Sequence, residues 1–350
     1  MKRCLAFLVV LLLATLSVSG ALAANYVNVF NWEDYISQEA IALFEEEYKD
    51  LDLKVNYMCF TTNEDMMVQV RNSPGAFDVV VPSDYCVERM MAEDLLQPLN
   101  FEHLPNVVKY TMPSLMNPSY DPESAHSAPY MWGTVGILYN TDMVEGEIDS
   151  WGALFDPQYK NNVFMLDSIR DSMGIALKYL GYSMNTRNPA EIAAATQLLI
   201  KQKQDGIVKA YQVDETKDKM VVGEAALALM WSGDALYAMD LADNLAYTVP
   251  KEGSNVWVDA FVIPKTAKNV EYAELFIDFM SRPEIAQLNC EEIWYSSPNT
   301  GAIELMGDEY QDNLAINPTQ DIIDRCEFFN DTQDVSTLYN TLWSQVKNAK

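Results

Sequence analysis

Histidine and cysteine, on which many hydrolases and metalloproteins depend, are scarce in this sequence. Of its 350 residues, 2 are His (His103 and His126) and 5 are Cys. The sequence contains no CxxC motif and no G-x-S-x-G motif, and neither His lies near a Cys along the chain. Zinc sites and Ser-His or Cys-His nucleophiles need such residues in close arrangement. We therefore predict no catalytic residues, no metal site and no cofactor.

Basic residues are also few, with 23 Lys and Arg against 51 Asp and Glu, which gives a net charge of −28. Such a surface disfavours nucleic acid and anionic membranes as partners, and it attracts cationic ligands at long range. Acidity that only keeps the protein in solution is the alternative explanation.

Apolar runs long enough to cross a membrane are absent after the first residues. The N-terminus combines the positive Lys2-Arg3, an apolar stretch over residues 5–16 and the small residues of Ala21-Leu22-Ala23. This order is typical of a cleaved signal peptide, here residues 1–23. We predict an exported, periplasmic protein without a lipid anchor, because Cys4 precedes the apolar stretch. Without Lys2 and Arg3, 21 basic residues face 51 acidic ones, a net charge of −30.

Four cysteines remain after the signal peptide. An oxidising compartment permits disulfides, and four Cys allow three complete pairings, among which the sequence does not choose. A pair between Cys59 and Cys86 is one of the open alternatives; the other two residues are Cys290 and Cys326.

Strand-like and helix-like segments alternate along the chain, which predicts a doubly wound α/β sheet. The predicted strands are 26–30, 51–57, 77–81, 134–139, 163–166, 225–231 and 256–263. One predicted helix begins after residue 37, and four others cover 63–72, 87–93, 172–179 and 188–204. Ligands of such sheets bind at the loops beyond the carboxyl ends of the strands.

Aromatic and acidic residues are concentrated at these predicted strand ends. Examples are Trp32-Glu33-Asp34-Tyr35 and Ser83-Asp84-Tyr85, and later strands deliver Asp167, Trp231, Asp234, Trp257 and Asp259. A flexible organic dication needs carboxylates for its ammonium groups and aromatic faces for its methylene chain. The competing interpretation is ordinary: aromatic side chains that serve packing and acids that are solvated.

The chain resembles the periplasmic spermidine/putrescine-binding proteins of bacterial ABC importers over nearly its whole mature length. The resemblance is carried in order by "FNWEDYI", "FDVVVPSDY", "APYMWGTVGILYN", "SWGALFDPQYK", "ALMWSGDAL", "VPKEGSNVWVDAFVIP" and "SRPEIA". It implies a type II periplasmic binding protein of two α/β lobes, each a sheet flanked by helices, which close by a hinge over a ligand cleft. We assign residues 24–134 plus 259–305 to lobe 1 and 135–258 plus 306–350 to lobe 2. The implied function is that of a monomeric, non-enzymatic receptor that hands polyamines to permease subunits.

The resemblance also implies the roles of site residues. An aromatic box is expected from Trp32, Tyr35, Tyr85, Trp231, Trp257 and Tyr295. Ser83 matches a pocket hydroxyl and Asp259 matches the acid for one terminal amine. Asp171 lies where the family has an acid for an inner or distal amine.

Some positions depart from the family pattern. Ser168 stands where members that prefer spermidine carry a further acid, and Phe329 stands near a Gln of their box. Asp34 and Asp234 match acids of the putrescine-preferring members. Glu33 replaces a small hydroxyl residue and is a secondary candidate. These exchanges favour putrescine, with spermidine also bound.

Other functions remain open at this point. Asp34 and Asp234 could form the acid–base pair of an exported hydrolase. A receptor of the same fold could bind ferric ion, thiamine or an anion, and a polyamine sensor would use the same pocket. Arg170 is the one cation near the predicted site loops, and the sequence does not show its orientation.

Overall fold

A computed structural model describes residues 25–350, so the predicted signal peptide lies outside the described residues. Within these residues, nine strands form one mixed sheet with the order β2-β1-β3-β9-β4-β7-β5-β6, and β8 pairs with β4. The strands are β1 Asn25–Trp32, β2 Leu53–Phe60, β3 Val79–Val80, β4 Ser127–Asn140, β5 Val163–Leu166, β6 Val208–Gln212, β7 Leu227–Trp231, β8 Leu245–Thr248 and β9 Val256–Val262.

Helices flank this sheet. Those before β6 are α1 Gln38–Glu47, α2 Asn63–Asn72, α3 Asp84–Ala92, α4 Pro105–Tyr110, α5 Ile169–Tyr179 and α6 Pro189–Gln204. Those after it are α7 Glu215–Val221, α8 Ser232–Leu241, α9 Val270–Met280, α10 Pro283–Ile293, α11 Thr300–Met306, α12 Asp308–Asp312, α13 Gln320–Ile323 and α14 Ser336–Asn348.

Capping side chains fix where several helices begin. The Ser37 hydroxyl accepts a hydrogen bond from Ala40 N, and that of Thr62 accepts one from Asp65 N. Asn188 caps α6, whose first residue is Pro, because Pro at this position lacks only an N–H that would find no partner within the helix. Ser168 caps α5, which therefore begins three residues before the predicted start at residue 172.

The long strand β4 joins two groups of strands. Its residues 127–134 pair antiparallel with β9, and from Val135 onward it pairs with β7 and then β8. We call β2, β1, β3, β9 and residues 127–134 the first half-sheet, and residues 135–140 with β7, β8, β5 and β6 the second half-sheet. The change of partner falls at the predicted boundary between residues 134 and 135. The full assignment of segments to two lobes stays a prediction.

A doubly wound sheet is mostly parallel, whereas this sheet is mixed. β1 is parallel to β2 and β3, and β5 is parallel to β6 and β7, but β4 and β9 run antiparallel to their neighbours. The prediction for β4 also missed residues 127–133, which contain Pro129. Pro cannot donate a ladder hydrogen bond, and the register shifts between Pro129 and Met131 accommodate it.

All four cysteines of the described residues are free thiols, so the alternative of a Cys59–Cys86 disulfide is not realised. Cys59 is exposed on β2, whereas Cys86 is buried in α3. Across residues 25–350, no helix combines the length and apolar character that crossing a membrane requires.

Candidate functional site

Asp259 lies at the centre of the candidate site, in the middle of β9. Its neighbour across the sheet is Met131, and its backbone also bridges to Ser83, just after β3. Only 7% of Asp259 is exposed. The Ser83 hydroxyl donates to its Oδ1 at 2.6 Å, and the Tyr35 hydroxyl donates to its Oδ2 at 2.8 Å. Two loops and a strand that are distant in sequence thus meet at one carboxylate.

The electrostatic state of Asp259 is unusual for an aspartate. Burial raises its pKa to about 6, and the hydrogen bonds from Ser83 and Tyr35 lower it only in part. Among residues 25–350, no Lys, Arg or His nitrogen lies within 4.0 Å of this carboxylate. A buried carboxylate without a counter-charge is destabilising at neutral pH, and a cation placed beside it removes that cost.

Asn63, which the sequence did not single out, positions two of the predicted residues. Its amide nitrogen donates to the Ser83 hydroxyl and to the Tyr85 hydroxyl, both at 3.1 Å. Its amide oxygen accepts from Ser83 N at 3.2 Å. As the first residue of α2, Asn63 therefore fixes the loop after β3 against the beginning of α2.

Tyr35, which donates to Asp259, belongs to a series of aromatic contacts. The rings of Trp257 and Tyr295 meet edge to face with centroids 5.1 Å apart, and those of Tyr35 and Tyr295 lie 5.9 Å apart. Trp32 packs on Phe60 at 4.5 Å. The indole nitrogens of Trp32 and Trp257 are buried and have no hydrogen-bond partner among residues 25–350. Unpaired donors of this kind are costly unless a ligand or water satisfies them.

Two glycines allow these rings to approach the backbone closely. A Cβ at Gly133, which lies opposite Trp257 in the sheet, would come within 2.6 Å of the indole Cζ2. A Cβ at Gly233 would lie 2.3 Å from the Tyr295 ring. Gly233 belongs to α8, so Tyr295 contacts the helix that directly follows β7 of the second half-sheet.

Asp171 is a second buried acid, at the beginning of α5. It is 6% exposed, and the Ser168 hydroxyl donates to its Oδ2 at 2.5 Å. Burial raises its pKa, which the hydrogen bond from Ser168, the positive charge of Arg170 and the Trp231 indole lower in part. No ion pair within 4.0 Å reaches it among residues 25–350.

Strand β4 connects the surroundings of the two acids. Trp257 lies opposite Gly133, and Trp231 lies opposite Val135, two residues further along β4. Trp257 packs against the cores of both half-sheets. Trp257 lies on β9 two residues before Asp259. Trp231 ends β7, which lies between β9 and β5 in the sheet, and β5 precedes the helix that carries Asp171.

Asp84 is a third buried acid that the sequence did not assign to the site. It is 1% exposed and accepts from Tyr85 N at 2.7 Å and from Phe329 N at 3.3 Å. Burial raises its pKa well above the ordinary value, and the negative charge of Asp259 adds to the rise. Its position inside the aromatic and acidic Ser83-Asp84-Tyr85 motif was the signal that could have identified it.

The remaining predicted acids have different surroundings. Asp234 forms an ion pair with Lys217, whose Nζ lies 3.0 Å from Oδ1. Glu33 and Asp34 are exposed in the turn after β1, where Asp34 adopts a φ of 50°. Asp234 thus has a cationic partner within the protein, and Glu33 and Asp34 are accessible to solvent.

Arg170 points toward the C-terminal segment. Its guanidinium donates to Asn330 O at 3.1 Å, to Thr332 Oγ1 at 2.6 Å and to Asn185 Oδ1 at 2.8 Å. It also stacks over the Phe329 ring at 4.3 Å. The guanidinium thus donates three hydrogen bonds within the protein. This disfavours the hypothesis that Arg170 binds an anionic ligand.

A family comparison accounts for this architecture. Residues 39–318 match the model of the bacterial extracellular solute-binding protein family. The chain belongs to this family of bacterial extracellular solute-binding proteins.

Individual family members are similar over nearly the full length. The spermidine/putrescine-binding periplasmic protein of Salmonella typhimurium is 34% identical over 320 residues, which cover 91% of this chain and 90% of that protein. The putrescine-binding periplasmic protein of Escherichia coli is 30% identical over 374 aligned positions, which cover 100% of this chain and 99% of that protein.

A solved structure from the same family has the same fold. The spermidine/putrescine ABC transporter substrate-binding protein of Streptococcus pneumoniae superimposes with a TM-score of 0.83 at 34% identity, covering 93% of this chain and 99% of that one. The resemblance seen in the sequence and the type II periplasmic solute-binding fold are therefore confirmed.

Proposed function

We propose that this solute-binding protein is an extracytoplasmic receptor for linear polyamines, with putrescine as the preferred ligand and spermidine as a second one. Its relatives carry these ligands in their names. One observation supports the proposal most strongly: among residues 25–350, Asp259 and Asp171 are buried without an ion-pair partner, and the indole rings of Trp257 and Trp231 belong to β9 and β7 of the same sheet. A diammonium ligand would neutralise both carboxylates and place its methylene chain on the rings.

In this proposal the two terminal ammonium groups have different surroundings. Asp259, Ser83 and Tyr35 receive one of them, and Asp171 with Ser168 receives the other. The Ser83 and Tyr35 hydroxyls already hydrogen-bond to Asp259, so this end is preorganised before the ligand arrives. Trp32, Tyr85, Trp231, Trp257 and Tyr295 provide the aromatic walls.

The rest of the transport cycle follows the family pattern. The signal peptide exports the protein to the periplasm, where it acts as a monomer and performs no catalysis. Lobe 1 (residues 24–134 and 259–305) and lobe 2 (135–258 and 306–350) close over the ligand, and the closed form delivers it to the permease of an ABC importer. Contacts between segments assigned to different lobes, such as Tyr295 on Gly233, are consistent with closure.

Calorimetric titration of the purified mature protein with putrescine, cadaverine, spermidine and spermine tests this proposal. We expect saturable binding with putrescine tightest and spermidine next. Arginine and inorganic phosphate serve as controls that should not compete. Absence of heat and of thermal stabilisation with all four polyamines would contradict the function, and spermidine binding far more tightly than putrescine would contradict the preference.

A further inference from the structure

A buried asparagine, Asn63, supports one of the two hydroxyls that donate to Asp259. Only 5% of Asn63 is exposed. Its side-chain oxygen accepts from Ser83 N at 3.2 Å, and its side-chain nitrogen lies 3.1 Å from the hydroxyl oxygens of Ser83 and Tyr85. Because a backbone N–H can only donate, the bond from Ser83 N determines which end of the amide faces the two hydroxyls. That end is the NH2 group, which can only donate.

This orientation determines the direction of the hydrogen bonds that end at Asp259. A hydroxyl has one proton, and the Ser83 oxygen already accepts a proton from Asn63. The Ser83 proton is therefore directed to Asp259 Oδ1, 2.6 Å away. The bonds run from the amide through the hydroxyl to the carboxylate, so Asp259 is the acceptor. Donation from the Ser83 hydroxyl stabilises the ionised carboxylate, the form that binds an ammonium group.

Tyr85 is held by the same amide. The second proton of the Asn63 NH2 group goes to the Tyr85 hydroxyl, so both protons of this group are used. The ring of Tyr85 packs against hydrophobic residues of both half-sheets. A single side chain at the beginning of α2 thus aligns two of the residues that the sequence predicted for the site.

We propose that Asn63 is a positioning residue that directs the Ser83 hydroxyl toward Asp259 and thereby sets the lowest pH at which the protein holds a polyamine. This inference rests on the proposed polyamine function and deepens it. Asn63 acts through Ser83 rather than by touching the ligand. Without the amide, the Ser83 hydroxyl is free to rotate away from the carboxylate, and Asp259 takes up a proton at a higher pH.

Other ionisable groups also lie within electrostatic reach of Asp259. One is the acid Asp84, and the others are the hydroxyls of Tyr35, Tyr120, Tyr130 and Tyr295. Burial raises the pKa of each of these tyrosines well above its ordinary value, so they stay neutral below about pH 8. Burial also raises the pKa of Asp84, so a test has to separate its titration from that of Asp259.

Calorimetric titrations with putrescine between pH 5 and pH 8 test the inference. Asn63→Ala removes the amide, and Asn63→Ser is a second variant that keeps a polar residue at the beginning of α2. Asn299→Ala is the matched control. Asn299 is also 5% exposed and also lies at the beginning of a helix, and its amide bonds to Ala302 N and Ser281 O, outside the site. Thermal unfolding verifies that each variant is folded.

The readout is the pH at which the affinity has fallen to half of its value at pH 8. We expect both Asn63 variants to raise this pH by about 0.5 unit or more, which corresponds to about a threefold change in the proton affinity of Asp259. The shift should persist in an Asp84→Asn background. It should be absent in a Ser83→Ala background, because the amide acts through the Ser83 hydroxyl. Asn299→Ala should leave the pH unchanged.

Three results would overturn the inference. One is an equal loss of affinity at every pH in the Asn63 variants, which a purely structural role would produce. The second is a shift of the same size in Asn299→Ala, and the third is a shift that persists without the Ser83 hydroxyl.

The same titrations separate this inference from the function on which it rests. If the unmodified protein binds no polyamine at any pH, the proposed function fails. If it binds putrescine and the Asn63 variants keep the pH profile of the unmodified protein, only the role of Asn63 fails.

Discussion

At the scale of single residues, the main feature is a buried carboxylate that no cation among residues 25–350 pairs with. Asp259 is 7% exposed, and within the described part of the chain its side-chain partners are the hydroxyls of Ser83 and Tyr35. Hydroxyl donors stabilise the ionised form, yet burial still raises the pKa of Asp259 to about 6. A site with this balance gains most from a ligand that brings a positive charge.

Removing the charge of Asp259 should therefore weaken binding strongly. For Asp259→Asn we expect a loss of about 2–5 kcal/mol in the free energy of putrescine binding, because a desolvated ammonium would lose its counter-charge. Calorimetry measures this loss directly. Asp149→Asn is a suitable control, because Asp149 forms an exposed pair with Lys251 on the surface. An Asp259→Asn protein that binds like the unmodified one would remove Asp259 from the site.

The raised pKa of Asp259 also predicts how binding depends on pH. Below about pH 6 the carboxyl group of the unliganded protein takes up a proton, so its affinity for a cation should fall by up to about tenfold per pH unit. Above about pH 7 the affinity should be constant. Titrations between pH 5 and pH 8 measure this profile, and Asp259→Asn should flatten it. An affinity that rises as the pH falls from about 7 to 5 would contradict the assignment.

The stability of the unliganded protein should change in the opposite direction. The pKa of Asp259 in the folded state, about 6, lies above the ordinary value of 3.8, so the folded state binds the proton more tightly than the unfolded chain. The contribution of Asp259 to the free energy of unfolding therefore rises as the pH falls through about 6 and is complete below about 4. The raised pKa of Asp171 acts with the same sign.

At the scale of secondary-structure elements, the beginning of α8 is shaped to receive an aromatic ring. Gly233→Ala would place a Cβ 2.3 Å from the Tyr295 ring. Although Ala favours a helix over Gly by about 1 kcal/mol, we expect overpacking to cost about 1–3 kcal/mol and to weaken putrescine binding. Thermal unfolding and calorimetry measure the two effects.

The same substitution in a Tyr295→Ala protein shows whether the clash with the ring causes these effects. In a Tyr295→Ala protein the clash is absent, so Gly233→Ala should there be neutral or stabilising. A Gly233→Ala protein that binds putrescine as tightly as the unmodified one would show that the ring contact has no role in the site.

Several elements could be predicted from the sequence because their signals are local. Alternating apolar residues and capping side chains identified β1, α1, β2, α2 and α6, with boundaries that differ by a few residues. The expectation that ligands bind at strand ends brought Tyr35, Ser83 and Asp259 into one hypothesis. In the structure, the Tyr35 and Ser83 hydroxyls both donate to the Asp259 carboxylate. Their role in ligand binding stays a prediction.

Other elements were beyond the sequence patterns. The early part of β4 contains Pro129, which argues against a strand, yet pairing with β9 on one side overrides this local preference. Helix α7 is short and mostly polar, so its apolar periodicity is too weak to detect. The sequence analysis therefore did not predict this helix or the position of Lys217 on it. Long-range pairs such as Lys217 with Asp234 leave no trace in local spacing.

At the scale of the whole molecule, the C-terminal segment ties together parts assigned to different lobes. Arg89 of α3 pairs with Asp331 at 2.7 Å, and Phe329 N donates to Asp84 Oδ2. Arg170 holds the same segment through Asn330 and Thr332. These contacts place the segment beside the candidate site. We therefore expect closure of the two lobes to change the surroundings of this segment.

At this scale, the proposed function is that of a receptor that binds two separated positive charges of one ligand. The most direct test compares putrescine with n-butylamine, which has the same four-carbon chain but one ammonium group. If Asp259 and Asp171 each neutralise one end, calorimetry should show n-butylamine binding at least about a hundredfold more weakly, since one buried carboxylate stays unpaired. Dissociation constants within about threefold of each other would contradict recognition of the ligand at both ends.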